Sequence, residues 1–308
     1  MKISIGLSLA LAAIILLSGC NQPNHSVESH ASSEGTSAAA QHVSDVADTN
    51  FYHYFEDAYF AEFVASAMNK DPNRPVTEKE LASFSGSITA YGGVTSLAGI
   101  SALKSITELS VYKCPVEEIP SEIAACTKLK RLNLAKAFSL QKLPENIGQL
   151  KELEYIHVGL TDLESIPESI GDLERLKYLY AGGTPIVSVP DSIGNCEDLI
   201  ILNLEGTKIT EIPDSVTRLK NLKSLDLGYT KITSLPENIG ALSQLVRLDL
   251  FGLDLRRLPQ STKDLVKLEY LNVYDNYNLN EEYKQWFENE CYRCITDPQN
   301  SDDWDGGR

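Results

Sequence analysis

The sequence predicts an α/β solenoid, a curved coil of stacked repeats with one parallel sheet of about eight strands. Three observations carry that expectation. Prolines preceded by Ile, Leu or Val recur at Pro120, Pro144, Pro167, Pro190, Pro213, Pro236 and Pro259, with one gap of 24 residues and five of 23. A fixed period of this length marks units too small to bury an apolar face alone, so each must stack on the next. Each period also holds an alternating apolar pair, the signature of a short strand with one buried face. The pairs are Leu109/Val111, Leu132/Leu134, Ile156/Val158, Leu179/Ala181, Leu202/Leu204, Leu225/Leu227, Leu248/Leu250 and Leu271/Val273. Finally, Ile123, Ile147, Ile170, Ile193, Val216 and Ile239 follow the prolines by three residues, and Cys126, Leu150, Leu173, Cys196, Leu219 and Leu242 stand three further on. These columns line the opposite, convex side.

Residues 1–19 have the form of a signal peptide: Lys2 precedes an apolar run from Ile3 to Leu17, too short for a membrane span. The run ends in Leu17-Ser18-Gly19-Cys20, which resembles the bacterial lipobox. That resemblance implies cleavage before Cys20 and acylation of its thiol and amine, an anchor of several chains that would hold stably. It also implies sorting: Asn21, rather than Asp, follows the cysteine and directs the expectation to the outer membrane or cell surface.

Residues 20–50 are the acylated Cys20 and a polar tether rich in Ser, Ala, His, Gln and Glu with no apolar periodicity. A flexible chain of that length spans roughly 30 Å. His25, His30 and His42 are scattered in it and are read as solvated. A helical N-terminal cap is expected over 51–87. Phe51, Phe55, Phe60, Phe63, Val64 and Met68 recur at helical spacing, and Thr77 with Glu80 forms a capping box before Leu81 and Phe84. The alternative for these aromatics is a docking surface. Residues 88–280 carry the repeats, opening with a degenerate turn between Ile88 and Ile100. Residues 281–308 form a C-terminal cap and tail, with a helix over 281–290.

Within each copy the pattern L-x-x-L-x-L-x-x-T-x-I appears, as Leu199, Leu202, Leu204, Thr207 and Ile209. These residues resemble the leucine-rich repeat family, in its 23-residue class found in Ras-interacting and plant resistance-type proteins. The resemblance spans about 190 of the 308 residues. It implies a right-handed coil whose concave face is the parallel sheet, and it leaves the chemistry open. The slot that the family fills with Asn holds Cys114, Thr161, Thr184, Thr207, Thr230, Leu253 and Asn276. A polar side chain there satisfies buried backbone groups, so Leu253 predicts a local break filled by apolar packing. Cys114, Cys126 and Cys196 occupy core positions and read as small apolar residues. Cys291 and Cys294 form a C-x-x-C pair, too few for zinc and without βαβ context for redox work; a disulfide is expected.

Function must then lie on the face. The formal net charge of -16 argues against nucleic-acid binding, and no metal cluster, cofactor motif or catalytic constellation is present. Residues flanking the buried pairs point to the concave side. There the sequence places Tyr112, Tyr155, His157, Tyr178, Tyr180, Phe251, Tyr270 and Tyr274 with Arg247 and Asn203, and Glu205, Asp226 and Asp249 as an acidic neighbour. Tyr and Arg bring large contact area with few torsions and concentrate in binding hot spots. Strand propensity alone is the competing explanation. The expectation is a monomeric, non-catalytic protein- or peptide-binding scaffold, with a glycan or peptidoglycan binder as the alternative.

Overall fold

The computed structural model describes residues 49–280 and the backbone of Cys294–Ile295. Cys20, the tether, the helix expected over 281–290 and the Cys291/Cys294 pairing lie outside the described residues.

The cap begins with two helices where one was expected. Helix α1 (Phe51–Tyr54) stops at an extended Phe55, and α2 (Ala58–Ala67) restarts after it. The restart is built by Asp57, whose carboxylate accepts from Phe60 N at 2.9 Å and, across the chain, from Thr95 N at 2.7 Å and Thr95 Oγ1 at 2.8 Å. Burial raises the Asp57 pKa, but these hydrogen bonds outweigh it and leave the group below its usual value. Asp57 thus caps α2 and pins the cap to the first coil. Phe51, Phe55 and Phe60 are buried against that coil, which favours the cap reading over a docking surface. Helix α3 (Glu78–Ser83) has the expected capping box between Thr77 and Glu80.

Nine parallel strands follow: β1 (Ser87–Tyr91), β2 (Glu108–Tyr112), β3 (Arg131–Asn133), β4 (Tyr155–His157), β5 (Tyr178–Tyr180), β6 (Ile201–Asn203), β7 (Ser224–Asp226), β8 (Arg247–Asp249) and β9 (Tyr270–Asn272). A two-residue β10 (Cys294–Ile295) pairs with β9, so the sheet runs β1 to β10 in chain order. The expected eight strands omit β1, whose buried pair Ile88/Ala90 is preceded by Ser85 where the other coils have Leu or Ile. Every neighbour is parallel and in one-to-one register, as in Tyr155↔Tyr178 and Tyr178↔Ile201.

On the convex side each coil returns through a short 3-10 turn after its proline, as at Glu168–Asp172 after Pro167. The Ile/Val column and the Leu/Cys column of these turns are fully buried. Coils approach so closely that a Cβ at Gly171 would sit 2.4 Å from the Ser192 carbonyl oxygen, so only glycine fits there. Cys126 and Cys196 lie in this core, and burial pushes both thiols up to about 12. They are inert packing residues, and Cys114 is likewise buried with its thiol raised by desolvation.

The polar slot works as a ladder. Thr161, Thr184 and Thr207 each donate from Oγ1 to the carbonyl three residues back, at 2.7, 2.7 and 2.8 Å. In the longer second repeat the slot falls on Ala137, and Thr230 Oγ1 is buried without a partner. The expected break at Leu253 does not occur. Asn276, one coil on, donates from Nδ2 both to Val273 O (2.9 Å) and back to Leu250 O (2.8 Å), the carbonyl that a threonine at 253 would have used. Leu253 is simply buried, and β8 and β9 pair normally across it. Just before each slot the backbone turns left-handed, at Lys113, Lys136, Leu160, Gly183, Gly206, Tyr229, Gly252 and Asp275.

Candidate functional site

The buried residue of each strand leaves its two neighbours on the concave face, and the register decides which side chains meet. Tyr155, His157, Tyr178 and Tyr180 come together on β4 and β5 as the sequence predicts. Ring centroids lie 6.2 Å apart for Tyr155 and Tyr178, 5.6 Å for Tyr155 and Tyr180, and 5.4 Å for His157 and Tyr180. The Tyr155 hydroxyl is 3.4 Å from His157 Nδ1. The Arg131 guanidinium stacks on the Tyr155 ring at 4.1 Å and pairs with Glu108 at 3.6 Å. A depression of about 300 Å³ opens between Glu108, Arg131, Tyr155 and Tyr178. Burial holds the Tyr155 and Tyr180 phenols above their ordinary pKa. Burial, and then Lys136, holds His157 below its own. The patch is therefore aromatic, hydrogen-bonding and uncharged near neutral pH.

One to three strands beyond β5, Glu205, Asp226 and Asp249 form the predicted acidic neighbour, with unequal roles. Asp249 is 7% exposed and fully engaged: Oδ2 accepts from Arg247 Nη2 at 2.6 Å and from the Tyr270 hydroxyl at 3.2 Å, and Oδ1 accepts from Phe251 N at 3.1 Å. Arg247 also stacks on Tyr270 at 3.8 Å. Asp249 thus positions the Arg247/Tyr270 pair rather than presenting its own carboxylate. Asp226 accepts from Asn203 Nδ2 at 3.2 Å and from Gly228 N at 3.3 Å. Desolvation, followed by the charges of Asp249 and Glu205, pushes Asp226 up to about 7. Desolvation and Asp249 likewise raise Glu205.

Phe251 and Tyr274 stack nearly parallel at 5.6 Å on the rim beyond this cluster, and Tyr229 meets Phe251 edge-on at 4.6 Å. Tyr112 stands at the other end of the same row, and Gly159 and Gly182 lie between, where His157 and Asn203 lean over the bare backbone. Among the described residues no His, Cys, Asp and Glu group could hold a metal, and no helix is long and apolar enough to cross a membrane.

Sequence reasoning passed over the left-handed column. Leu160 (φ 57°) and Tyr229 (φ 54°) are bulky residues in a region that L-residues avoid, and they are 49% and 53% exposed. Lys113 and Lys136 share that column, both with their amines over the Tyr112 ring, at 5.2 and 5.7 Å. The readable signal was positional: each residue immediately precedes a slot of the polar ladder.

These features define the fold as a leucine-rich repeat solenoid. Residues 197–255 match the leucine-rich repeat family. A comparison with curated proteins finds no match. Among solved structures the chain is similar to InlP of Listeria monocytogenes, at 25% identity and a TM-score of 0.62, covering 74% of this chain and 66% of that one. It is also similar to the leucine-rich repeat ectodomain of the Arabidopsis thaliana receptor kinase GASSHO1/SCHENGEN3, solved in complex with CASPARIAN STRIP INTEGRITY FACTOR 2. That similarity is at 25% identity and a TM-score of 0.55 over 68% of this chain. InlJ of Listeria monocytogenes shares the fold at 20% identity and a TM-score of 0.54, covering 75% of this chain and 60% of that one. The chain spans just under two thirds of InlP and 26% of the plant ectodomain.

Proposed function

We propose that the chain is a non-catalytic protein- or peptide-binding scaffold that works through its concave face, presented from the bacterial envelope by an acylated Cys20. The observation that carries the binding part is the cluster of Tyr155, His157, Tyr178 and Tyr180 on adjacent strands. Packing does not require it: the solenoid core lies on the other side of the sheet, and neighbouring coils carry Asn133 and Asn203 in the same column. Large aromatic rings held rigid by their neighbours lose little entropy on contact and anchor partners well. The plant ectodomain solved with a bound partner supports the same reading for a repeat surface. The envelope part rests on the Leu17-Ser18-Gly19-Cys20 motif alone.

Photocrosslinking in intact cells tests both parts. With p-benzoylphenylalanine replacing Tyr178, a discrete protein adduct is expected; replacing Glu168 on the convex side, none. Equal adducts from the two positions, or glycan-bearing masses from Tyr178, would overturn protein binding through this face in favour of a non-specific or glycan reading. In the same cells Cys20→Ser should move the chain from the membrane fraction to the soluble one, and a chain still sedimenting with membranes defeats the anchor.

A further inference from the structure

The concave face is electrically polarised along the solenoid, in a way that its ion pairs conceal. Each end holds one arginine stacked on a tyrosine and paired with a carboxylate. At the first end Arg131 lies over Tyr155 and against Glu108; at the second Arg247 lies over Tyr270 and against Asp249. Setting these two pairs aside leaves Lys113 and Lys136 at the first end and Glu205 and Asp226 at the second. The middle, β4 and β5, is the uncharged aromatic patch, with Gly159 and Gly182 on its rim covered by His157 and Asn203.

Like charges are gathered at both ends, at the acidic end at an electrostatic cost. The two lysine amines flank one ring, that of Tyr112, from backbone positions in the left-handed region. Glu205 and Asp226 lie on adjacent coils with Asp249 behind them; beyond the effect of burial, the Asp249 charge raises the proton affinity of both. In a chain of net charge -16 a lysine pair on a binding face is the less expected of the two. Asp275 continues the polarity, in the same left-handed column at the acidic end. The ends are three to five strands apart, about 14–24 Å at the usual spacing of about 4.8 Å. That exceeds a Debye length of about 8 Å, so neither end neutralises the other in physiological salt.

Resting on the reading of this face as a protein-binding surface, we propose that its occupant is an extended protein segment bearing one anionic and one cationic group about four to seven residues apart. The segment lies along the solenoid axis with its acid between Lys113 and Lys136 and its base over Glu205 and Asp226. The spacing follows from geometry: an extended chain advances about 3.3 Å per residue, so about four to seven residues bridge the two ends. Apolar or aromatic residues between the charges meet Tyr178 and Tyr180. Complementary charge at both ends fixes register and direction, which a uniform aromatic face cannot do.

The test pans a phage-displayed library of random twelve-residue peptides on the full chain, on Tyr178→Ala/Tyr180→Ala and on Lys113→Glu/Lys136→Glu, with folding of each variant checked by melting. The expected result is enrichment of peptides pairing an acidic with a basic residue at the stated spacing. Their affinity should fall at least tenfold on Lys113→Glu/Lys136→Glu, and panning on that variant should replace the acid by a second base. Peptides that need Tyr178 and Tyr180 but show no paired charges overturn this inference and leave the face as the binding surface. Absence of enrichment, or peptides indifferent to the tyrosine variant, overturns both.

Discussion

The buried columns and the concave columns of this solenoid are built from the same coils and obey opposite rules. Down the core, one residue type predominates at each position: Leu in the strands, Ile in the 3-10 turns, Gly where coils touch, Thr in the polar ladder. Down the face no position repeats: the column Asn133, His157, Tyr180, Asn203, Asp226, Asp249 changes character at nearly every step. Each coil contacts only its neighbours, so stability is a sum of near-identical terms and the core tolerates local lapses. Thr230 lacks its partner and Leu253 lacks a hydroxyl, yet the register continues because Asn276 reaches back across the gap. The face has no such redundancy, and individual side chains there carry information rather than stability.

The sharpest way to break that contrast is a core truncation. Leu202→Ala removes a side chain that is fully buried at the centre of the sheet. A loss of about 2–5 kcal/mol is expected in urea titration, from lost transfer energy and the cavity left behind. A loss below about 0.5 kcal/mol would mean the coils do not depend on this column.

A second substitution asks whether the face costs stability. Asp226, held near pKa 7 against 3.8 in the unfolded chain, binds its proton more tightly when folded. Its contribution is therefore fully present below about pH 4, declines as pH rises towards 7 and is absent beyond; the linkage amounts to a few kcal/mol at most. Asp226→Asn keeps the neutral shape and a carbonyl acceptor for Asn203. It is expected to be more stable than the parent by about 1–3 kcal/mol at pH 8 and equal to it at pH 4. Equal stability at both pH values would show that the acidic end is not strained.

Much of this was legible because period 23 and period 2 together assign every residue of a coil to a side. Tyr155, His157, Tyr178 and Tyr180 were placed in one patch from spacing alone, and the register puts them there. What spacing could not supply was conformation and compensation. The helical pattern from Phe51 to Met68 ran on through Phe55, because nothing local reveals that Asp57 is claimed by Thr95, 38 residues away. Strand β1 falls outside the expected eight because Ser85 stands where the repeat pattern has its first Leu and no proline closes the coil at Leu97, 23 residues before Pro120. Asp249 looked like a presented carboxylate because its partner Arg247 sits in the same strand, where alternation puts both on one face but does not show that they touch.

The smallest effect bears on the left-handed column, where core and face meet. At Gly183, Gly206 and Gly252 the turn costs little, but at Leu160 the same backbone carries a side chain that is half exposed, lying over Gly183. A non-glycine residue in this region costs about 1–2 kcal/mol, partly offset here because glycine loses more entropy on folding and Leu160 covers its neighbour. Leu160→Gly is therefore expected to raise stability by no more than about 1 kcal/mol in urea titration. It should also weaken the adduct formed from position 178, since Leu160 is half exposed and covers Gly183 in the turn that follows β5. If the substitution instead destabilises the chain by more than about 1 kcal/mol, the leucine belongs to the core's repeating rule and its strain has a packing cause. If stability rises and partner contact is lost, the strain is kept by the face, and the boundary between the two rules runs through the residue before each ladder slot.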